Sequence, residues 1–131
     1  MEKFLDQFKL SPLHRVAMET FIFSQADTLV KGYCGGFWGD DHIDSLVFLT
    51  IPHNIGPITL YNPLSGTTID TDPLTASAIF TFIVVNWYWN LQTEHLSDET
   101  NSAFSEWYFA FRDAVYDSNL VNTNDFHTFT D

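Results

Sequence analysis

A short segment of the chain combines carboxylate and imidazole side chains, the groups that bind divalent metals and exchange protons. It contains Asp40, Asp41, His42 and Asp44, and His53 follows nine residues later. These residue types are ligands for a divalent cation. Their spacing, however, matches neither a His-x-x-x-His helix motif nor the calcium-binding loop of an EF-hand. An acidic, solvated loop therefore explains the segment better than a metal site, and we predict no metal and no other cofactor.

Catalysis by a side-chain nucleophile has little support elsewhere. Cys34, the only cysteine, lies between an aromatic residue and a glycine, and no base is near it in the sequence. We expect a buried structural thiol. The histidines are scattered at His14, His42, His53, His95 and His127, and no nucleophile elbow, phosphate-binding loop or zinc pattern organises them. We predict a protein that is not an enzyme; a metal-dependent activity around Asp40 to Asp44 is the alternative.

The charge of the chain is strongly one-sided. Between Gly32 and Phe111 there are nine acidic residues and no Lys or Arg, in a chain of 131 residues with a net charge of −12. Arg112 is the only Lys or Arg after Lys31, and we expect it to form a structural ion pair, with Asp113 beside it or with another carboxylate. Such a surface repels the nucleic-acid backbone and suits a basic partner. We predict no direct binding to nucleic acid.

Length and composition predict one globular domain in the cytoplasm. Of the residues, 45% are apolar and 17% aromatic, which is ample for a core. A lone cysteine favours a reducing compartment, and the first ten residues do not resemble a signal peptide. The segment from Pro73 to Thr93 is uncharged over twenty-one residues, about the length of a membrane span. Its recurring polar residues and its start at Asp72-Pro73 favour a buried central helix instead, and no membrane association.

Hydrophobic periodicity and turn residues predict an α+β fold in which helices pack against a small antiparallel β-sheet. The expected helices run from about Pro12 to Val30, from Pro73 to Gln92 and from Ser97 onward, with a further helical turn near Phe126. The expected strands are Leu46 to Ile51, Ile58 to Tyr61 and Thr67 to Ile69. The predicted core includes Tyr33, Trp38, Phe82, Val85, Trp107 and Phe111.

Two segments carry a family resemblance. Tyr33-Cys34-Gly35-Gly36-Phe37-Trp38, which contains a Tyr-x-Gly-Gly-x-Trp pattern, and Tyr108-x-x-Phe111-Arg112-Asp113, in the last long helix, are similar to segments of the ArdB/KlcA antirestriction family. A proline-punctuated sheet region and an apolar helix led by an aspartate lie between them in the family's order. The resemblance covers roughly Leu13 to Asp131. We expect the glycine pair to let an aromatic ring pack against bare backbone.

The resemblance implies a small non-enzymatic protein, encoded on mobile elements, that blocks a host DNA-defence complex, chiefly type I restriction or a related system. The chain departs from the family between Gly39 and Phe48, where the family has an aromatic strand and an Asn-Gly-Gly-Phe-Tyr turn. Exposed segments of this kind set specificity. We therefore expect Asp40, Asp41 and Asp44 to lie on an exposed loop or edge and to face the basic surface of the partner.

The acidity is open to three further interpretations. Carboxylates spaced like phosphates would make the protein a DNA mimic that occupies a basic DNA channel. An acidic domain rich in tryptophan also suits an immunity protein or antitoxin that neutralises a basic nuclease toxin. If the acidity serves only solubility, aromatic residues such as Trp87, Trp89 and Trp107 would make the contacts, although we expect these residues in the core.

Overall fold

The computed structural model describes residues 1–53 and 56–131, and in these it contains five α-helices, one short 3-10 helix and four strands. In chain order they are α1 (Glu2–Asp6), α2 (Pro12–Leu29), β1 (Gly39–Ile43), β2 (Leu46–Thr50), β3 (Ile58–Tyr61), β4 (Thr68–Thr71), α3 (Pro73–Gln92), the 3-10 helix (Thr93–His95), α4 (Asp98–Asp117) and α5 (Thr123–Thr130). The predicted α+β class is confirmed.

The three long helices begin where the sequence predicts, because a side chain caps the first turn of each. The side-chain oxygens of Ser11, Asp72 and Ser97 accept hydrogen bonds of 3.2, 3.0 and 3.1 Å from the backbone amides three residues ahead. Proline follows Ser11 and Asp72 at the first helical position, where its fixed φ suits the helix and its missing amide costs nothing. These helix N-termini are marked by local sequence signals, so they could be predicted from the sequence.

The four strands form two separate antiparallel hairpins. β1 pairs with β2, with Asp41 opposite Phe48, and β3 pairs with β4, with Thr59 opposite Asp70. The predicted strands at 46–51 and 58–61 are present but belong to different hairpins. The sequence analysis missed β1, since its polar residues lack the apolar alternation of a half-buried strand.

Helix α3 is the centre of the fold and contacts α2, α4, α5 and both hairpins. The stretch Pro73–His95 is long and apolar enough to cross a membrane, with a mean hydropathy of 1.2, but 67% of its most apolar window is buried inside the fold. Buried side chains surround the helix from Thr75 to Val85. This burial is what the sequence predicted for a central core helix.

Side chains take the place of a strand along the second edge of β2. The Gln7 amide group donates to the Val47 carbonyl at 2.9 Å and accepts from the Val47 amide at 2.8 Å. The hydroxyls of Thr81 and Ser77 accept 3.0 Å hydrogen bonds from the next two outward-facing amides along this edge. Because buried backbone groups require partners, these contacts explain why hydroxyl residues interrupt the apolar sequence of α3.

Aromatic residues fill the space between α3 and α4. The Trp107 and Phe111 rings stack with centroids 4.5 Å apart, and Phe111 lies 6.3 Å from Phe82. The predicted core residues that are buried are Trp38, Phe82, Val85, Trp107 and Phe111. Tyr33 is partly buried and packs against the edge of this core.

Candidate functional site

The two ends of the Tyr-x-Gly-Gly-x-Trp segment are bonded to each other. The Trp38 indole Nε1 donates a 3.0 Å hydrogen bond to the Tyr33 hydroxyl, and the two rings lie 5.8 Å apart. Trp38 is buried and its ring lies 5.1 Å from that of Phe80 in α3. The tyrosine and the tryptophan therefore anchor the loop between α2 and β1 to the core.

Both glycines of the segment adopt conformations that side chains disfavour. Gly35 has a φ of 91° and Gly36 a φ of 127°. A Cβ atom on Gly36 would lie 2.7 Å from the Cβ of Pro52, whereas one on Gly35 would meet open space. The glycine pair is thus structural, but its close packing partner is a proline and not the aromatic ring that we expected.

The residue between the glycines and Trp38 points into solvent. Phe37 is 90% exposed, although it sits between a constrained turn and a buried tryptophan. Phe23 of α2 is 39% exposed, and its ring contacts that of Trp38 at 6.4 Å. Phe23, Phe37 and Trp38 line one open cleft of about 620 Å³. No role was predicted for Phe23 or Phe37, because the cleft that they line forms only where α2 and the loop after it come together.

The hairpin of β1 and β2, here called the acidic hairpin, has three aspartates in different environments. Asp41 on β1 and Asp44 at the β1–β2 turn are exposed, as expected. Asp40 is not: its side chain is 15% exposed, and its Oδ1 lies 3.0 Å from the Met1 ammonium. That oxygen is buried and has no hydrogen bond of good geometry, so the Asp40 contact is electrostatic. The expectation of an exposed position is therefore wrong for Asp40, because the N-terminal segment covers it.

The metal-ligand types noted in the sequence do not converge. Within residues 1–53 and 56–131, no group of three or more His, Cys, Asp or Glu side chains is arranged to hold a metal ion. Asp41 accepts a 2.8 Å hydrogen bond from the amide of His42, and His53 Nδ1 lies 3.1 Å from the Ile51 carbonyl. Asp41 and His53 are thus engaged by their own neighbours.

Cys34 is exposed, so the expectation of a buried thiol is wrong. It lines an open cleft of about 390 Å³ together with Lys31, Phe37 and His53. The left-handed backbone of the glycines that follow Cys34 carries this part of the loop away from the core. Phe37 consequently forms a ridge between this cleft and the one lined by Phe23.

The second segment of the resemblance is divided between core and surface. The Tyr108 ring stacks on Phe82 with centroids 4.7 Å apart. Arg112 is exposed, its Nε lies 3.9 Å from the Asp113 Oδ1, and its guanidinium lies 5.3 Å from the centre of the Phe109 ring. The expected ion pair is present but loose and solvated, and pairs of this kind add little stability.

Negative charge covers the surface after α2. Of the thirteen acidic residues after Gly32, eleven are exposed and only Asp40 and Asp125 are partly buried. The exposed set is Asp41, Asp44, Asp70, Asp72, Glu94, Asp98, Glu99, Glu106, Asp113, Asp117 and Asp131. Arg112 is the only Lys or Arg in this part of the chain. The surface therefore favours cationic partners over a broad area.

Comparisons of the chain with protein-family models and with curated proteins give no match.

Proposed function

We propose that this protein is a cytoplasmic inhibitor of a bacterial DNA-defence complex, type I restriction or a related system, that acts through protein contact. One observation carries the proposal: eleven exposed carboxylates and a single Arg lie on the hundred residues that follow Lys31. DNA-processing complexes present basic surfaces, because they bind phosphate backbones. An acidic protein is steered toward such surfaces and is itself repelled by DNA.

The two motif segments support the choice of target class, because they resemble the antirestriction family. Some residues of the two motif segments are anchored in the fold, and others are exposed. Tyr33, Trp38 and Tyr108 pack into the fold, whereas Phe37, Arg112 and Asp113 face solvent. The anchors account for the spacing of the motifs, and the exposed residues are available for contact with a partner.

The acidic hairpin is the proposed specificity element. Asp41 and Asp44 project from β1 and from the turn that follows it, the segment where the chain departs from the family. Asp40 supports the hairpin from inside through its contact with Met1. Within the hairpin, we assign partner contact to Asp41 and Asp44 and not to Asp40.

The test is infection of cells that carry a type I restriction system, with and without this protein. Unmodified phage should form plaques at a frequency close to that of modified phage when the protein is present. Cells without the restriction system provide the control. Unchanged plating against type I systems and against other nuclease-based defences would refute the proposal.

The alternatives give different results in the same cells. Rescue from a basic nuclease toxin, without protection of phage DNA, would identify an immunity protein. A DNA mimic would compete with DNA for the purified restriction complex, and this competition would weaken steeply as salt concentration rises. Inhibition that excess DNA does not relieve supports contact outside the DNA channel.

A further inference from the structure

We propose that the cleft between Phe23 and Phe37 is an anchor point that receives an arginine side chain of a basic protein partner. The inference deepens the function proposed above and rests on it for the identity of the partner. The arginine-binding chemistry of the cleft can be tested independently of that function.

The first argument is that the backbone carrying the exposed ring of Phe37 is held in place. A solvent-exposed phenylalanine has unfavourable hydration and gains nothing for the fold at 90% exposure. Gly36 packs against Pro52, and Trp38 is bonded to Tyr33, so both neighbours of Phe37 are fixed. The backbone from which the ring projects is therefore fixed before any partner arrives, which lowers the part of the entropic cost of binding that comes from ordering the loop.

The second argument is the chemistry of the cleft walls. Phe23, Phe37 and Trp38 supply aromatic surface, and the acidic residues Glu2 and Glu19 belong to the lining of the same cleft. Aromatic faces attract guanidinium groups, which stack on them, and carboxylates accept the guanidinium hydrogen bonds. A mixed aromatic and acidic lining suits arginine better than it suits an apolar or an anionic side chain.

The third argument is the local charge balance. Lys3 lines the cleft, and the Met1 ammonium is engaged by Asp40. Among the residues that the structure describes, Glu2 and Glu19 have no cationic side chain within ion-pair distance. These two carboxylates remain available to a cation from outside. Asp40 also lines the cleft, but its charge is matched by the Met1 ammonium, so the capacity for an added cation rests on Glu2 and Glu19.

The direct test is an NMR titration of the full chain with acetyl-Gly-Arg-Gly-amide, and with the lysine and glutamine analogues as comparisons. The arginine peptide should shift the Phe37 ring and Trp38 indole resonances most, and the glutamine peptide should leave them nearly unchanged. Phe37→Ala and Phe37→Leu should each lower the affinity for the arginine peptide by roughly 2- to 30-fold, because both remove the aromatic face. Leu64→Ala, at a position that is 80% exposed and outside the cleft, is the matched control.

Several results would overturn the proposal. They are equal shifts with the glutamine peptide, absence of arginine binding, shifts confined to another surface, and full retention of binding in Phe37→Leu. Because Phe37 is exposed, its variants should unfold at the same denaturant concentration as the wild type, so lost binding is not lost folding.

The phage assay separates failure of the two proposals. If wild type and Phe37→Ala protect phage DNA equally, the anchor is refuted while the inhibitor function stands. If the wild type gives no protection but the arginine peptide still binds at Phe37, the inhibitor function fails and the binding chemistry stands.

Discussion

The hydroxyl of Thr81, in the middle of the most apolar helix, accepts a 3.0 Å hydrogen bond from the amide of Leu49 in β2. The same hydroxyl donates to the carbonyl of Ser77 at 2.8 Å. Both Thr81 and Leu49 are fully buried. The contact joins the central helix to the buried edge of β2, so a helix replaces the neighbouring strand of a larger sheet.

The variant Thr81→Val tests whether the Thr81 hydroxyl stands in for the backbone of a neighbouring strand. Valine has the shape of threonine but leaves the Leu49 amide without a partner, so the free energy of unfolding should fall by about 1 to 3 kcal/mol. Hydrogen exchange at the Leu49 amide should accelerate in Thr81→Val and stay slow in the control Thr81→Ser, which keeps the hydroxyl. Unchanged exchange in the valine variant would show that the hydroxyl does not hold this edge.

The contrast between Thr81 and Ser11 shows which parts of the fold the sequence could predict. The cap at Ser11 involves residues three apart, so a local pattern reveals it. The partner of Thr81 is 32 residues away, and nothing in the sequence of α3 specifies it. The strand that pairs with Leu46–Thr50 was missed for a different reason: β1 is adjacent in sequence, but its polar residues lack the apolar alternation of a half-buried strand.

In the candidate site, too, some features could be predicted from the sequence and others depend on the three-dimensional structure. The exposure of Asp41 and Asp44 followed from their charge and from the preceding glycine turn. The burial of Asp40 depends on the N-terminal segment, and the exposure of Cys34 and Phe37 depends on the φ angles of Gly35 and Gly36. Side chains around a loop of this kind are placed by its three-dimensional path, so composition and periodicity did not predict them.

Alanine substitutions should separate the roles of the two motif glycines. Gly35→Ala introduces only backbone strain, and we expect a loss of about 1 to 2 kcal/mol in the free energy of unfolding. Gly36→Ala adds the contact with Pro52 and should cost more. In a Pro52→Gly background the penalty of Gly36→Ala should shrink, as a double-mutant cycle in urea would measure. Equal penalties in both backgrounds would exclude a clash with Pro52.

The burial of Tyr88 leads us to predict that the free energy of unfolding falls at alkaline pH. Burial raises the pKa of Tyr88 above its ordinary value of 10.0, and its hydroxyl donates to the His14 carbonyl at 3.3 Å. The folded protein therefore holds this proton to higher pH than the unfolded chain. This contribution to stability is fully present below the unfolded pKa of about 10 and is lost as pH rises through the folded pKa.

Urea unfolding from about pH 8 to about pH 11 measures this effect. The wild type should lose stability more steeply than Tyr88→Phe over the alkaline part of this range, because phenylalanine has no proton to lose. The difference between the two proteins isolates Tyr88 from the other tyrosines, which titrate in both. Parallel pH profiles would show that folding does not raise the pKa of Tyr88.

The last prediction concerns the two exposed aspartates of the acidic hairpin. Asp41→Asn/Asp44→Asn should slow association with the partner complex and reduce the dependence of the association rate on salt, because rim charges act mainly on the encounter. Stability should be nearly unchanged. An asparagine at position 41 keeps the oxygen that accepts from the His42 amide, and at position 44 it tolerates the φ of 53°.

The matched control is Glu106→Gln/Asp117→Asn, which removes two exposed charges from α4 instead, at positions outside both motif segments. A general acidic attraction predicts the same slowing in both double variants, whereas a specific role of the hairpin predicts a larger effect at Asp41 and Asp44. Stopped-flow association with the purified defence complex at low and high salt distinguishes the two. Identical rates for the hairpin variant and the wild type at low salt would place the interface elsewhere on the molecule, since charges at an interface act most strongly where screening is weakest.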